Sequence, residues 1–438
     1  MFGIDRQAKG SRHNEENVGR IFRFTRLNHR GQSISSLRFP GASVIAPPLD
    51  PQIRRSIDEA GFDLVGVTPA VSLRGFDRLV NWIDAGYAGE MDYLAGRLDA
   101  YRHPRGVLDG CRTLVAMSLP YPASSDHPGR GGKVARYVWG GSDYHDVVHD
   151  RLRPIRREMA IVYPSANVRG VVDTAPLLER EVAAAAGLGW RGKNTLLLSK
   201  SRGSYFLLAF LLLNIELQSD APERPFAPDA SDGHCGTCTA CLDACPTDAF
   251  VSPGVLNASR CISYLTIEHR GQIAGRLRDD IGDWIFGCDV CQEVCPWNRR
   301  RGRETIAKDP PPLSRIDPVA LFDVDEDEFR RRYRRTPLWR TRRRGMLRNA
   351  AIVIGNTDPP GGVEALHKGL VDDEPIVRGA SVWALAKLST RPPRDRLTMQ
   401  RLKNMSGDEA DTDVLAEIDA AVARIEFSEH ALSEEGSH

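Results

Sequence analysis

Eight of the nine cysteines fall within one short stretch, and their spacing constrains the fold more than any other feature of the chain. One run, Cys-x2-Cys-x2-Cys-x3-Cys-Pro, begins at Cys235, and a second, Cys-x2-Cys-x3-Cys-Pro, begins at Cys288. Cys261 lies between the two runs. The first thirty residues are polar and basic and contain no apolar segment typical of a secretory signal. The cysteines are therefore predicted to bind metal rather than to form disulfides.

The spacing is that of a two-cluster ferredoxin, in which the cysteine before proline ligates the other cluster. Two 4Fe–4S clusters need eight thiolates, of which the two runs supply seven and Cys261 the eighth. The predicted clusters are held by Cys235, Cys238, Cys241 and Cys295, and by Cys245, Cys261, Cys288 and Cys291. The alternatives are buried free thiols or zinc, although zinc prefers paired Cys-x2-Cys units that close one tetrahedron. The ninth cysteine, Cys111, is predicted to be an ordinary core residue.

The composition is that of a globular protein with several domains. The 438 residues are 41% hydrophobic and 27% charged, which excludes a disordered, collagen-like or small disulfide-rich protein. The longest apolar run, Phe206–Leu213, is far shorter than the roughly 18 residues of a membrane span. We therefore expect a soluble, cytoplasmic monomer without a membrane partner.

Shifts in composition divide the chain into five parts. We predict a disordered extension at 1–48, an α/β or α+β domain at 49–218, a ferredoxin-like two-cluster module at 219–300, a basic linker with a helical domain at 301–427, and a polar tail at 428–438.

Hydrophobic periodicity gives the elements of the first domain. It predicts strands over 113–119, 168–172 and 206–214 and helices over 144–160 and 176–186. The uninterrupted apolar run in the last strand indicates a central strand buried on both faces. In the helical domain, residues 348–355 align with residues 378–385, and this internal repeat is typical of a HEAT-like solenoid.

The residues from 330 to 348 include ten arginines and no acidic residue, with two aromatic residues interleaved. So many like charges repel one another unless a polyanion neutralises them, and arginine suits both phosphates and stacked bases. The alternative is a solvated helix face that pairs with the acidic stretch 323–328. We predict RNA contacts for Arg331, Arg334, Arg335, Arg342, Arg343, Arg344 and Arg348.

Several segments, in order along the chain, resemble the epoxyqueuosine reductase family. They are RY at 136–137, DYH at 143–145, DTAPLLER at 173–180, GLGWRGKN at 187–194, CISYLTIE at 261–268 and CDVCQ at 288–292. The resemblance spans residues 51–388 and leaves out the extension and the tail.

The resemblance implies a cobalamin-dependent enzyme with two 4Fe–4S clusters and an external low-potential electron donor. Its substrate would be tRNA with epoxyqueuosine in the anticodon, and its product queuosine, in the last step of queuosine biosynthesis. The family is expected to bind cobalamin without a histidine ligand from the protein. In agreement, the Asp-x-His-x-x-Gly motif of histidine-ligating cobalamin proteins fails here, because Val148 replaces its glycine.

By the same resemblance, Asp173 is the catalytic acid that protonates the leaving epoxide oxygen. The alternative is a helix cap, because Asp173 shortly precedes Pro176, and proline favours a first helical turn. A helix N-terminus would lower the pKa of Asp173, whereas burial would raise it.

Seven residues are predicted by resemblance to contact the cofactor: Arg136, Tyr144, His145, Lys193, Asn194, Ser263 and Asp289. Lys193 and Asn194 follow a glycine-rich stretch that suits a tight loop near a ligand, although an ordinary exposed connection has the same composition. Ser263 and Asp289 lie in the cluster loops, where they would otherwise satisfy turn amides. Tyr144 and His145 would otherwise be a partly buried helix start.

Two other functions compete with this reading. A cobalamin-dependent reductive dehalogenase resembles the first two domains, but it normally has a twin-arginine leader and lacks a basic helical end. An electron-transfer protein would have clusters without a corrinoid, and it leaves the arginine-rich stretch unexplained. The residues do not distinguish direct attack by cobalt from single-electron transfer, nor do they identify the tRNAs.

Overall fold

The computed structural model describes residues 46–121, 127, 130–220, 234–299, 313–390 and 396–435. The predicted disordered extension 1–48 lies outside the described residues except for its last three positions. Most of the stretch from 219 to 234 and the proline-rich stretch 300–312 also lie outside them.

The first region contains most of the strands. These are β1 (Val65–Pro69), β2 (Thr113–Pro120), β3 (Gly132–Val134), β4 (Val168–Val171), β5 (Trp190–Arg191), β6 (Leu197–Leu198) and β7 (Phe206–Leu213). Its helices are α1 (Pro51–Glu59), α2 (Gly75–Asp84), α3 (Asp92–Ala95), α4 (Leu98–Tyr101), α5 (Tyr144–Val162) and α6 (Glu179–Ala185).

The main sheet has the strand order β1-β2-β7-β4, and every neighbouring pair is antiparallel. This region is therefore α+β, one of the two predicted classes. Side chains alternate between the faces of a strand, so Val115 and Met117 of β2 pack with α1 and α5, whereas Leu114 and Ala116 pack with α6. Strand β7 lies between β2 and β4 and is almost wholly buried, which confirms the predicted central strand.

The cysteine-rich region is built from short elements. Its helices are α7 (Ala240–Asp243), α8 (Ile262–Ile267), α9 (Gly275–Arg278), α10 (Val290–Glu293) and α11 (Pro296–Arg299), and its strands are β8 (Phe250–Ser252), β9 (Val255–Leu256) and β10 (Trp284–Phe286). Strand β10 pairs in parallel with β3 of the first region, so the two regions share a sheet.

The last region is mainly helical, as predicted. It contains β11 (Arg315–Ile316), α12 (Glu326–Tyr333), α13 (Arg342–Thr357), α14 (Gly362–Gly369), α15 (Pro375–Ser389), α16 (Arg396–Ser406) and α17 (Thr412–Glu435). Strand β11 adds an antiparallel edge to β3, so one small sheet joins all three regions. Among the described helices, none is both long and apolar enough to cross a bilayer.

One apolar core is common to the cysteine-rich and helical regions. It includes Leu265 of α8, Phe286 of β10, and Leu347 and Ile352 of α13, each at most 3% exposed. From Ala46 onward the chain forms one compact unit, whose parts share side chains across the predicted domain boundaries.

Both copies of the internal repeat lie in helices that pack closely together. Gly355 of α13 approaches α15 so closely that a Cβ atom there would lie 2.9 Å from the Cβ atom of Ala384. The helical region is thus confirmed, and its HEAT-like character stays a prediction.

The predicted polar tail is wrong for most of its length, because α17 continues to Glu435. Residues 428–435 are polar, but alanine, leucine and three glutamates among them are strong helix formers. Polarity alone therefore did not indicate the end of the helix.

Candidate functional site

Helix α5 and the turn after β4 bring three predicted site residues together. Tyr144 and His145 are the first two residues of α5, and the side chain of Asp143 caps this helix by accepting a hydrogen bond from the His145 amide at 3.1 Å. Asp173 lies in the turn that follows β4. With Arg340, described below, Tyr144, His145 and Asp173 form a group that we call the acid cluster.

Asp173 does not cap the next helix. The helix predicted over 176–186 is shorter than expected, since α6 begins at Glu179 and its N-cap residue is Leu178. The helix-cap alternative for Asp173 is therefore wrong.

Both carboxylate oxygens of Asp173 have hydrogen-bond partners. Oδ1 lies 2.5 Å from Nε2 of His145, and Oδ2 accepts a hydrogen bond from the Tyr144 hydroxyl. The other ring nitrogen of His145, Nδ1, lies 2.6 Å from Oδ1 of Asp143. The Asp173 side chain is nevertheless 39% exposed, so the cluster is open on one side.

This geometry assigns the shared proton to histidine. Burial lowers the pKa of His145, but the hydrogen bonds to Asp143 and Asp173 outweigh it and raise the pKa to about 9. Burial raises the pKa of Asp173, but the hydrogen bonds from His145 and Tyr144 bring it below its ordinary value. Burial and the nearby Asp173 charge raise the pKa of Tyr144, which stays a neutral donor. At neutral pH the pair is an imidazolium beside a carboxylate.

Arg340 completes the cluster and was not among the predicted site residues. Its Nη2 lies 3.0 Å from the Tyr144 hydroxyl oxygen, and its guanidinium carbon lies 5.3 Å from the centre of the Tyr144 ring. No local pattern separates Arg340 from the nine other arginines around it, because its distinction is a contact with a helix almost two hundred residues away.

Two buried polar groups also escaped prediction: Glu179 interacts with Asp173 of the acid cluster, and the Trp190 ring packs against His234 and Trp297, which line the cysteine cavity described below. Oε1 of Glu179 and Nε1 of Trp190 are buried and have no hydrogen-bond partner among the described residues. Burial and the nearby Asp173 charge raise the pKa of Glu179 to about 8. Both residues lie within segments that carry the family resemblance, which was the available signal.

The first set of predicted cluster cysteines lines one cavity. This cavity has a volume of about 170 Å³, and its lining includes Cys235, Cys238, Cys241 and Cys295. Three of these thiols come from the first run and Cys295 comes from the second, as the crossover requires. Among the residues that the structure describes, no three His, Cys, Asp or Glu side chains converge as ligands of a single metal ion.

The second set is deeper in the protein. Burial raises the pKa of Cys291, and the nearby thiols of Cys261 and Cys245 raise it further. Burial likewise raises the pKa of Cys288, with Cys261 and Cys291 adding to the effect. The pKa of Cys291 is also raised by Asp289 and by Cys241 of the first set, so the division of the cysteines between two clusters stays a prediction.

Lys193 and Asn194 support the cysteine loops. Nζ of Lys193 donates to the carbonyl oxygens of Gly236 and Cys238 at 2.7 and 3.0 Å, and Nδ2 of Asn194 donates to the carbonyl oxygen of Cys291 at 3.4 Å. Asn194 is only 3% exposed. These contacts fix the cluster loops on the first region, and the predicted cofactor contacts stay a prediction.

Arg136 and Asp289 are paired with each other rather than presented to a ligand. Nη1 of Arg136 lies 3.0 Å from Oδ2 of Asp289 and 2.7 Å from Oε1 of Glu293. The Arg136 and Asp289 side chains are 0% and 2% exposed. The predicted direct cofactor contact is therefore wrong for both, because each polar group is used inside the protein. Ser263 lies half-buried in α8, which begins directly after Cys261, and its predicted role stays a prediction.

The predicted RNA-binding arginines differ in exposure. Arg334, Arg335, Arg342 and Arg344 are exposed, and so is Arg331, which pairs with Glu328 of the acidic stretch. Arg343 is half-buried and pairs with Asp372 at 2.8 Å. Among these arginines the alternative of pairing with the acidic stretch 323–328 holds for Arg331, whereas Arg344 lies 3.8 Å from Glu374.

Arg348 is a correction to the predicted RNA surface. It is 0% exposed, and its guanidinium donates to the carbonyl oxygens of Leu265, His269 and Gly271 at 2.7 to 2.9 Å. Arg348 lies on the inner face of α13, so it braces α8 and the following loop rather than facing solvent. A run of arginines does not indicate which side chains point inward.

Comparison with known proteins agrees with this arrangement. Residues 234–298 match the 4Fe-4S double cluster binding domain, and residues 102–174 match the family described as epoxyqueuosine reductase QueG, DUF1730. The chain is 37% identical over 363 residues to the epoxyqueuosine reductase of Xanthomonas campestris, an alignment that covers 79% of this chain and 99% of that protein. It is 37% identical over 362 residues to that of Pseudomonas aeruginosa, covering 80% and 98%.

Solved structures give the same result. A crystal structure of epoxyqueuosine reductase with a tRNA-Tyr epoxyqueuosine-modified stem loop aligns with a TM-score of 0.75 and 29% identity, over 86% of this chain and 98% of that chain. The epoxyqueuosine reductase of Bacillus subtilis, with its catalytic aspartate loop swung out of the active site, aligns with a TM-score of 0.73 and 28% identity, over 85% and 98%. The chain therefore belongs to the epoxyqueuosine reductase family, which converts epoxyqueuosine in tRNA to queuosine.

Proposed function

We propose that this epoxyqueuosine reductase works with a bound cobalamin, two 4Fe–4S clusters and the acid cluster. The reaction consumes two electrons and two protons, forms the alkene of queuosine and releases the epoxide oxygen as water. The observation that carries the proposal is the open Asp173 carboxylate, held between two proton-bearing side chains beside a double-cluster domain.

The acid cluster accounts for the proton that the leaving oxygen needs. His145 carries this proton at neutral pH and lies 2.5 Å from Asp173. Asp173 accepts the proton from His145 and passes it to the leaving oxygen through its exposed side. Tyr144 donates to the other carboxylate oxygen and fixes the direction of the carboxyl group. The catalytic aspartate loop of the Bacillus subtilis relative supports this role for Asp173.

Two buried polar groups, one beside the acid cluster and one beside the cysteine cavity, suit a corrinoid. The unpartnered Oε1 of Glu179 and Nε1 of Trp190 match the amide groups of a corrin ring, which both donate and accept hydrogen bonds. His145 has both nitrogens occupied by carboxylates, so it is not available as a ligand to cobalt. Glu179, Trp190 and Ser263 would hold the cofactor. Cobalamin supplies a strongly reducing cobalt for the strained epoxide.

We assign one cluster to Cys235, Cys238, Cys241 and Cys295, and the other to Cys245, Cys261, Cys288 and Cys291. The shared cavity of the first set supports this assignment, as does the effect of Cys261 on the pKa values of both Cys288 and Cys291. An external low-potential donor would supply electrons to the clusters one at a time.

The exposed arginines between 330 and 344 are the proposed contact with tRNA. The predicted ones among them are Arg331, Arg334, Arg335, Arg342 and Arg344, to which we add the half-buried Arg343. Binding of a modified tRNA stem loop by a relative of similar fold supports this assignment. The backbone would be recognised by shape and charge, and the wobble base would leave its stack to reach Asp173. We propose that the enzyme is a cytoplasmic monomer. Its C-terminal helical region would be HEAT-like and would bind the tRNA.

One experiment tests the cofactor proposal. Anaerobically reconstituted, reduced protein is incubated with epoxyqueuosine-containing tRNA, with and without cobalamin, and the nucleosides are measured by mass spectrometry. We expect the loss of one oxygen mass only when cobalamin is present. Equal conversion without cobalamin would overturn the corrinoid proposal, and intact clusters with no corrinoid binding would favour the electron-transfer alternative.

A further inference from the structure

The scheme above leaves Arg340 without a role, although it contacts both proton-bearing partners of Asp173. Its Nη2 donates to the Tyr144 hydroxyl oxygen at 3.0 Å and lies 2.6 Å from Nε2 and 3.0 Å from Nδ1 of His145, where a protonated ring offers no acceptor and the contact is one of charge. Arg340 belongs to the short helical turn Pro337–Thr341, within the arginine-rich stretch. A residue from the proposed RNA-binding stretch therefore reaches into the site of chemistry.

Hydrogen bonds on either side of Arg340 fix its backbone in this place. Arg270 donates to the carbonyl oxygen of Arg340 at 2.7 Å, and the hydroxyl of Thr341 donates to the carbonyl oxygen of Thr266 at 2.8 Å. Five residues earlier, the carbonyl oxygen of Arg335 accepts from the amide of Asp143 at 2.7 Å. The turn is thus tied to α8 and the residues that follow it, and to the start of α5.

The direction of the hydrogen bonds gives Arg340 a specific effect. A guanidinium has donors and no acceptor, so Arg340 donates to the Tyr144 oxygen. The proton of the Tyr144 hydroxyl is then directed to Asp173, the partner that accepts it. Without Arg340, the Tyr144 hydroxyl would be free to rotate away from Asp173.

We propose that Arg340 is a positioning residue of the reaction, a role that rests on the function proposed above for Asp173. Its guanidinium donates to the Tyr144 oxygen and so orients the Tyr144 hydroxyl toward the carboxylate, and its charge lowers the pKa of the adjacent His145. The stretch that carries the RNA-binding arginines thereby also completes the acid cluster.

The charge of Arg340 acts in the same place. The ionised groups facing His145 are Asp143 and Asp173, which raise its pKa, and Arg340, which lowers it. The adjacent Tyr144 stays neutral. Removing the guanidinium would bind the proton more tightly to His145, so the pH at which the proton is lost would rise. A proton held more tightly is also transferred less readily.

The test is the single-turnover rate of epoxyqueuosine reduction at saturating tRNA, measured across pH on the cobalamin-loaded, reduced enzyme. Arg340→Met removes both the donor and the charge. We expect its rate constant to fall about 10- to 100-fold, as misplacement of catalytic groups does, and its basic limb to move to higher pH. Arg340→Lys keeps the charge, so its basic limb should stay at the wild-type pH while its rate constant falls.

The matched control is Arg153→Met, which removes an exposed arginine on the same helix α5, 61% exposed and paired with Asp150. Its rate constant and basic limb should equal those of the wild type. A wild-type rate constant and an unmoved limb in Arg340→Met would overturn the proposal. The proposal would also be overturned if Arg340→Met reduced only the fraction of active enzyme and left its rate constant unchanged, because that result indicates a merely structural role.

Failure of folding does not remove the test. Iron content and thermal melting identify a misfolded Arg340→Met, and in that case a wild-type rate constant in Arg340→Lys overturns the proposal. If the wild-type enzyme itself converts no substrate in this assay, the proposed cofactor function fails, and the two failures are thus distinguishable.

Discussion

The acid cluster and the buried pair of Arg136 and Asp289 are made of similar residues but differ in their surroundings. Asp173 is paired with a histidine and has a side chain that is 39% exposed. Asp289 is paired with an arginine and has a side chain that is 2% exposed. The sequence predicted cofactor contacts in both groups. Only the group that is open and contains a titratable partner is suited to proton transfer.

The choice of partner explains the difference. An arginine stays protonated at all physiological pH values, so the Arg136–Asp289 pair holds a fixed charge and fixes the chain. A histidine exchanges its proton near neutrality, so the His145–Asp173 pair holds a proton that substrate can receive. Burial strengthens the first pair as a structural element, and exposure makes the second accessible.

The largest expected effect is on chemistry at the open site. Asp173→Asn keeps the shape of the side chain but removes the group that receives a proton from His145. We expect single-turnover reduction to fall about 10²- to 10⁴-fold, the usual contribution of a positioned acid, with little change in melting temperature. Asp150→Asn, an exposed position on α5, is the control and should behave as wild type. Wild-type turnover in Asp173→Asn would remove the proposed acid.

Substitution in the buried Arg136–Asp289 pair should instead lower the stability of the protein. Arg136→Met leaves the buried carboxylate of Asp289 without its main partner, and breaking a buried pair in this way costs about 3–5 kcal/mol. We expect a large drop in the apparent melting temperature, measured by circular dichroism on the holoenzyme. The double variant Arg136→Met, Asp289→Leu removes both charges and should recover much of the loss. No drop in the single variant would contradict the comparison.

The pH dependence sharpens the contrast further. The pKa of His145 is raised to about 9, so its proton is present at neutral pH and is lost as the pH rises through about 9. The rate should therefore fall about tenfold for each pH unit above this point. In His145→Gln, which has no titrating ring, this limb should disappear. An unchanged limb in that variant would assign the titration to another group.

The smallest expected effect contrasts two arginines of the same stretch. Arg334→Ala removes an exposed charge, so it should weaken tRNA binding a few-fold and reduce the slope of log affinity against log salt by about 1. Arg348→Ala removes a buried guanidinium, so it should lower the melting temperature and leave the salt slope unchanged. Filter binding at several salt concentrations measures both slopes. Equal slopes for Arg334→Ala and wild type would exclude that phosphate contact.

Local patterns in the sequence predicted much of the fold. The strand over 206–214 was found as Phe206–Leu213, and the helix over 144–160 as Tyr144–Val162, because their apolar periods are long and regular. The helix predicted from 176 begins at Glu179. Pro176 suggested a first helical turn, but proline is equally suited to the non-helical turn that precedes a helix. The end of α17 was missed because helix propensity does not require apolar residues.

The site was predictable where motifs name a residue and unpredictable where contacts come from distant segments. Asp173, Tyr144 and His145 lie in motifs and meet in space. Arg340 joins them from a separate region, and no local pattern distinguishes it from its neighbours. The opposite error, with Arg348, has the same cause, since the inward face of α13 is set by packing on α8.

The core shared by the cysteine-rich and helical regions has a consequence for iron supply. Metal binding that orders a loop contributes directly to the free energy of folding. Leu265, four residues after Cys261, packs in the same core as Leu347 of α13. An iron-starved cell would therefore lose more than an electron path, because the helices that carry the arginines would be weakened at the same time. For the same reason, we expect the cysteine-rich region not to fold stably when it is fused to another protein without the helical region.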